Sequence, residues 1–171
     1  MATLLFLTGV AVFGAIAFQA LASPTVDTKT PAIQEITLHP EYRDWKLISV
    51  AHEGGSLNDI RAILGNEAAF QASRDGTIPF PDGAIIARLA WADTPSAANN
   101  KVFGRHQSFV AGSPTNVQLL VKDSRKFAAT GGWGFAQFSK DNPANEAVAK
   151  ECFACHVPAK SHDYVFTHYA P

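Results

Sequence analysis

PFPDGAIIARLAW, residues 79–91, decides the fold class. Pro79-Phe80-Pro81-Asp82-Gly83 is a turn: proline presets φ and glycine accepts the left-handed backbone. Ala84 to Trp91 then runs apolar for the length of a strand, interrupted only by Arg88. Gln107–Ala111, Asn116–Val121 and Trp133–Phe138 also read as strands, rich in β-branched or aromatic residues. Gly112-Ser113-Pro114 reads as a break, and the polar stretch through Asn99-Asn100 as a loop. Strands joined by turn-like links, without helices between them, predict an antiparallel sheet. The class is α+β, a mainly antiparallel β-sheet with flanking helices.

The helices lie on either side of that block. Ser56–Ser73 reads as a helix capped by Ser56, with Leu57, Ile60, Ile63, Leu64 and Ala68 on one face and Arg61 on the polar side. Glu41–Val50 has helical spacing first and a strand-like second half. Residues 23–40 are polar and proline-punctuated, an N-terminal arm ahead of a single domain over 41–171.

Residues 1–22 read as an export signal, MATLLFLTGVAVFGAIAFQALA. The segment has no charged side chain, is almost wholly apolar from Leu4 to Phe18, and ends in Ala20-Leu21-Ala22, a small-x-small cleavage pattern after Ala22. An uncleaved anchor is the alternative, because no Lys or Arg precedes the apolar run. The expected location is the periplasm. At 171 residues, with 17 % charged residues and a formal net charge of −1, the chain has room for one core and no field directed at nucleic acid.

The chemistry lies near the C-terminus, in ECFACHVPAK, residues 151–160. Cys152, Cys155 and His156 spell C-x-x-C-H, a c-type haem attachment pattern, and the chain has only these 2 cysteines. Asn142 reads as a cap and Pro143 as a first helical residue. Val148, Cys152 and Cys155 then fall at i, i+4 and i+7, so both thiols share one helix face. Two vinyl groups on one porphyrin edge need that arrangement, and His156 follows as the axial ligand.

Two other readings of the motif are weaker. A redox dithiol belongs at the start of a βαβ unit, and too little chain follows for one. A zinc site would take Cys152, Cys155, His156 and His162 at an untypical spacing. Met1 is the only methionine, so no methionine of the mature chain can face His156 across the iron. The sixth position is left to His39, His52, His106, His162 or His168, to a lysine, to a water, or to nothing, and an open, five-coordinate site is the leading reading.

PFPDG (79–83), VKD (121–123), TGGWGF (130–135), CFACH (152–156) and DYVFTHYAP (163–171) together resemble the cytochrome P-460 family and the related cytochromes c′-β, over roughly Tyr42–Pro171. The resemblance implies an antiparallel sheet with flanking helices, frequent dimers, and one covalent haem c with a histidine ligand and an open distal position. Members similar to cytochrome P-460 oxidise hydroxylamine and carry a lysine cross-linked to the porphyrin. Members similar to cytochrome c′-β bind nitric oxide or carbon monoxide beneath apolar aromatics. On this likeness the lysine should lie on the strand after the PDG turn, where residues 84–91 offer only Arg88, a poor nucleophile. Lys101 and Lys122 are the remaining candidates, with Lys122 expected at a solvated strand end.

Phe70, Phe80, Phe109, Trp133 and Phe135 can cap a haem face or pack a core. Arg61 and Arg88 are candidates to hold a propionate or polarise a bound oxyanion. The sequence therefore points to an exported monohaem cytochrome that binds or converts small nitrogen oxides. A homodimer and, for an enzyme, a periplasmic redox partner are expected. The alternative is a bis-histidine electron carrier.

Overall fold

The computed structural model describes residues 36–140, 142–144 and 146–171. The export signal and residues 23–35 of the arm lie outside the described residues. No helix among the described residues is long and apolar enough to cross a membrane.

Six antiparallel strands form one sheet in chain order: β1 (Lys46–Glu53), β2 (Asp59–Gly65), β3 (Ile85–Pro95), β4 (Phe109–Lys122), β5 (Trp133–Ser139) and the two-residue β6 (Asn142–Pro143). Among the described residues there are three α-helices: α1 (Glu67–Asp75) between β2 and β3, α2 (Ala97–Phe103) between β3 and β4, and α3 (Glu146–His156) after β6. A 3-10 turn over Tyr42–Asp44 runs into β1, as the mixed pattern of Glu41–Val50 implies. The α+β expectation holds.

Four local expectations are corrected. Ser56–Ser73 is not one helix: residues 59–65 form β2, and the helix starts only at Glu67. The apolar positions of that segment satisfy both periods, and the alternation of Asp59, Arg61 and Ile63 against Ile60, Ala62 and Leu64 wins because both faces are covered. Gly65 marks the change, since a Cβ there would press on the Ile48 side chain. Asn66 then caps α1, accepting the Ala69 N–H at 3.0 Å, while its amide donates to Gly83 O at 2.8 Å and ties α1 to the PDG turn.

The expected loop at Asn99-Asn100 is α2. Ser96 caps it, and the Asn100 side-chain Oδ1 accepts the Gln107 and Ser108 N–H groups at 2.9 and 2.8 Å. Gly112-Ser113-Pro114 does not end a strand either. β4 runs through it, with a register shift at the Pro114–Trp91 pairing that accommodates the missing donor. Finally, Asn142 and Pro143 pair with Ser139 and Phe138 instead of opening a helix.

The register assigns each face. Ile63, Ile86, Leu120, Trp133 and Phe135 share one side, packed with α1, Phe80 and Val165 and covered in part by Cys152, Phe153 and Tyr164. Leu64, Ala87, Leu89, Leu119, Ala136 and Phe138 form the other side, under Ile36, Tyr42 and Phe127. Trp133 and Leu119 are fully buried, one on each face. Two small cores thus sandwich the sheet, and α3 lies on the first, chiefly against β5.

Candidate functional site

Helix α3 brings Cys152, Cys155 and His156 to the first face. Cys152 is half-buried against the core, Cys155 is exposed, and both are free thiols. Burial, then the neighbouring Cys155 and Glu151, push the Cys152 thiol up from its ordinary pKa. The Arg88 charge, on the adjoining part of the sheet, opposes that shift.

His156 is the best-defined member. Its Nδ1 lies 2.6 Å from the Tyr164 carbonyl oxygen. A carbonyl can only accept, so Nδ1 carries the proton and Nε2 keeps the lone pair. Burial lowers the imidazole pKa and favours the neutral ring. Phe135 and Phe166 hold the ring, with centroids 5.0 and 4.9 Å away. Phe153 stacks obliquely on both Phe135 and Tyr164. The result is a neutral, oriented imidazole, the form a metal requires.

This donor set fits a haem. Two unpaired thiols three residues apart stand on one helix beside an imidazole whose other nitrogen is already engaged. A zinc site at Cys152, Cys155, His156 and His162 is not assembled: among the described residues no group of three or more His, Cys, Asp or Glu side chains is placed to hold a metal. His162 instead donates Nδ1–H to Val165 O at 2.8 Å and stacks on His168.

On the same face, beyond the apolar patch, lies a polar cluster. Asp59 receives Arg61 Nε at 2.6 Å and Arg88 Nη2 at 2.8 Å, and Arg88 Nη1 donates to Asn116 at 2.8 Å. Arg61 also reaches Glu53 at 3.1 Å. Burial and the nearby Arg61 charge lower the Arg88 pKa, while Asp59 holds it up. The Arg88 Nε–H is buried without a hydrogen-bond partner. Arg61 therefore stands on a strand beside Arg88, not on the polar side of a helix.

The other candidates separate. Phe80, Trp133 and Phe135 are core residues of the α3 face, and Phe70 packs at its margin against Tyr169. Phe109 is exposed on the projecting end of β4. Lys101 is exposed on α2. Lys122 is not at a solvated strand end: it is 5 % exposed and ion-paired with Asp163. The polar look of VKD misled here, because the tail that covers Lys122 arrives 41 residues later. Sequence reasoning passed over Asp163 and Tyr164 as site residues, although both stand in the quoted DYVFTHYAP.

The antiparallel sheet bears a C-x-x-C-H helix on one face with the histidine fixed through Nδ1, an arrangement that suits a c-type haem. A family model described as Cytochrome P460 matches residues 39–167, and the chain belongs to the cytochrome P460 family. Membership implies a haem cofactor. Among curated proteins none matches the chain.

Proposed function

We propose that the chain is an exported, periplasmic monohaem c-type cytochrome that binds small nitrogen oxides, with conversion of nitric oxide or hydroxylamine as the second activity of the same site. Cys152 and Cys155 would hold a haem through thioethers, and His156 Nε2 would ligate its iron. A bound haem supplies the iron, its redox couple and the coordination position at which a diatomic binds. The hydrogen bond from His156 Nδ1 to Tyr164 O carries this reading, because it leaves one neutral ring nitrogen for a metal beside two attachable sulfurs.

The chain's own residues shape the site. Phe135 and Phe166 flank the imidazole and orient it, and Phe153 packs on Phe135 behind it. Arg88 retains one buried donor, Nε–H, for a propionate or a bound anion. Arg61 is more fully engaged, by Asp59 and Glu53. With Lys122 tied to Asp163 and Lys101 exposed on α2, a porphyrin cross-link has little support, which favours binding over hydroxylamine oxidation. The exposed Val102, Phe103, Phe109 and Val110 at the projecting β3–β4 end support a homodimer.

The test is the absorption spectrum of protein expressed in a periplasm, reduced, with and without carbon monoxide. A five-coordinate c-haem spectrum that shifts with carbon monoxide is expected, and haem retained after denaturation should vanish in the Cys152→Ala/Cys155→Ala variant. A strongly red-shifted reduced band moves the function to hydroxylamine oxidation. A six-coordinate spectrum indifferent to carbon monoxide overturns the gas-binding site in favour of an electron carrier.

A further inference from the structure

Four stretches far apart in the chain meet at one buried ion pair. Lys122, the last residue of β4, places Nζ 2.8 Å from both carboxylate oxygens of Asp163 and 3.2 Å from Gly131 O. The ammonium also lies 4.9 Å from the centre of the Trp133 ring. Asp163 Oδ2 accepts the Phe80 N–H at 2.8 Å. Gly131 has φ +69° and no room for a Cβ, because the Tyr164 ring occupies that space. The PDG turn, the end of β4, the glycine pair before β5 and the tail after α3 are thus locked together.

What they lock is an uncomfortable backbone. Asp163 and Tyr164 are consecutive non-glycine residues at φ +50° and +63°, a conformation that crowds Cβ against the carbonyl oxygen. Their N–H groups close the preceding turn on Lys160 O and Ala159 O at 3.1 and 2.9 Å, and the Asp163 side chain and the Tyr164 ring anchor that turn to the sheet, which together set the direction of the Tyr164 carbonyl. That carbonyl accepts the His156 Nδ1–H. A buried lysine–aspartate pair adds little net stability over apolar packing, so stability alone does not account for it. A fixed acceptor for the imidazole does.

We infer that Lys122 and Asp163 are positioning residues for the axial histidine: their ion pair holds the Tyr164 carbonyl on His156 Nδ1 and thereby sets the donor strength of Nε2. The inference rests on His156 being the iron ligand. A hydrogen bond from Nδ1–H makes an imidazole a stronger donor and favours the ferric state, and loss of such an outer partner typically costs about 10–100-fold in metal affinity or activity.

The experiment compares haem-bearing wild type, Lys122→Met/Asp163→Asn and Leu119→Ala. The double variant removes both charges together and keeps an amide oxygen for the Phe80 N–H. Leu119→Ala is a destabilising control on the opposite sheet face. Readouts are the midpoint potential and the iron–histidine stretching band of the ferrous protein. The double variant should shift the reduction equilibrium towards the ferrous state by about tenfold, about 59 mV for one electron, and lower the stretching frequency. Leu119→Ala should lose thermal stability and keep both readouts at wild-type values. Where the double variant fails to accumulate, Asp163→Asn alone carries the same expectation. Unchanged potential and stretch in a haem-bearing variant, or an equal shift in Leu119→Ala, overturns the positioning role alone. A wild-type protein without covalent haem, or one whose haem signature survives His156→Gly, overturns the underlying reading and this inference with it.

Discussion

Arg88 Nη2 lies 2.8 Å from Asp59 Oδ2, on the sheet face that carries the C-x-x-C-H helix. Asp59 is shared, since Arg61 Nε approaches its other oxygen at 2.6 Å. One carboxylate therefore keeps two neighbouring guanidiniums apart in a largely buried cluster. Asp59→Asn should destabilise the protein by about 3–5 kcal/mol, because it removes the carboxylate that two largely buried guanidiniums share and leaves only Glu53, on Arg61, to compensate them. Arg61→Ala should cost less, since Asp59 keeps Arg88 as its partner. Urea denaturation of both variants checks the order, and equal midpoints would mean that Asp59 does not hold the pair together.

The Lys122–Asp163 pair makes a similar prediction with a different signature. Asp163→Ala strands a buried ammonium and frees the Phe80 N–H, so a loss of about 3–5 kcal/mol is expected. Lys122→Met combined with Asp163→Asn should recover much of that loss, because no buried charge remains alone. The quantity to measure is the coupling in a double-mutant cycle by chemical denaturation. Additive losses from the two single changes would show that the side chains act independently.

Asp82, in the PDG turn, gives the pH dependence. Its carboxylate accepts the Ser124 hydroxyl at 2.8 Å and the Ser124 N–H at 2.7 Å. The side-chain hydrogen bond, then the backbone one, hold its pKa below the ordinary 3.8. A folded-state pKa below the unfolded one means that the contribution is complete above the unfolded value and lost as pH falls through the folded value. Asp82→Asn should therefore lower the urea midpoint at pH 7, and its deficit against wild type should shrink as the pH drops below 3.8. A deficit of constant size down to the acid transition would remove the carboxylate from the explanation.

The sheet was legible from local signals because β3 and β5 are apolar runs bounded by strong turn residues. Where two periods fitted the same letters, as in Ser56–Ser73, the outcome depended on β1 and β3 flanking that segment, which no local window contains. The haem-site residues were legible as a motif, but their support was not. Lys122 and Asp163 look like ordinary surface charges in isolation, and only the fold brings them to 2.8 Å. Arg88 was noticed because a cation inside an apolar strand is anomalous, whereas its partner Asp59 was hidden in a supposed helix.

Gly131 tests the packing of the tail most directly. It adopts φ +69°, and a Cβ there would overlap the Tyr164 ring. Gly76, which ends α1, has nearly the same φ, +67°, but open space around the missing Cβ. Alanine at either position incurs the left-handed backbone penalty of about 1–2 kcal/mol, and only Gly131→Ala must also displace the aromatic ring. Gly131→Ala should therefore be the more destabilising of the two by thermal or urea unfolding. It should also loosen Tyr164, read as faster hydrogen exchange of the Tyr164 amide, which donates to Ala159 O at 2.9 Å. If the two alanine variants lose the same stability and exchange stays unchanged, the close approach of the ring to Gly131 contributes nothing beyond the turn itself.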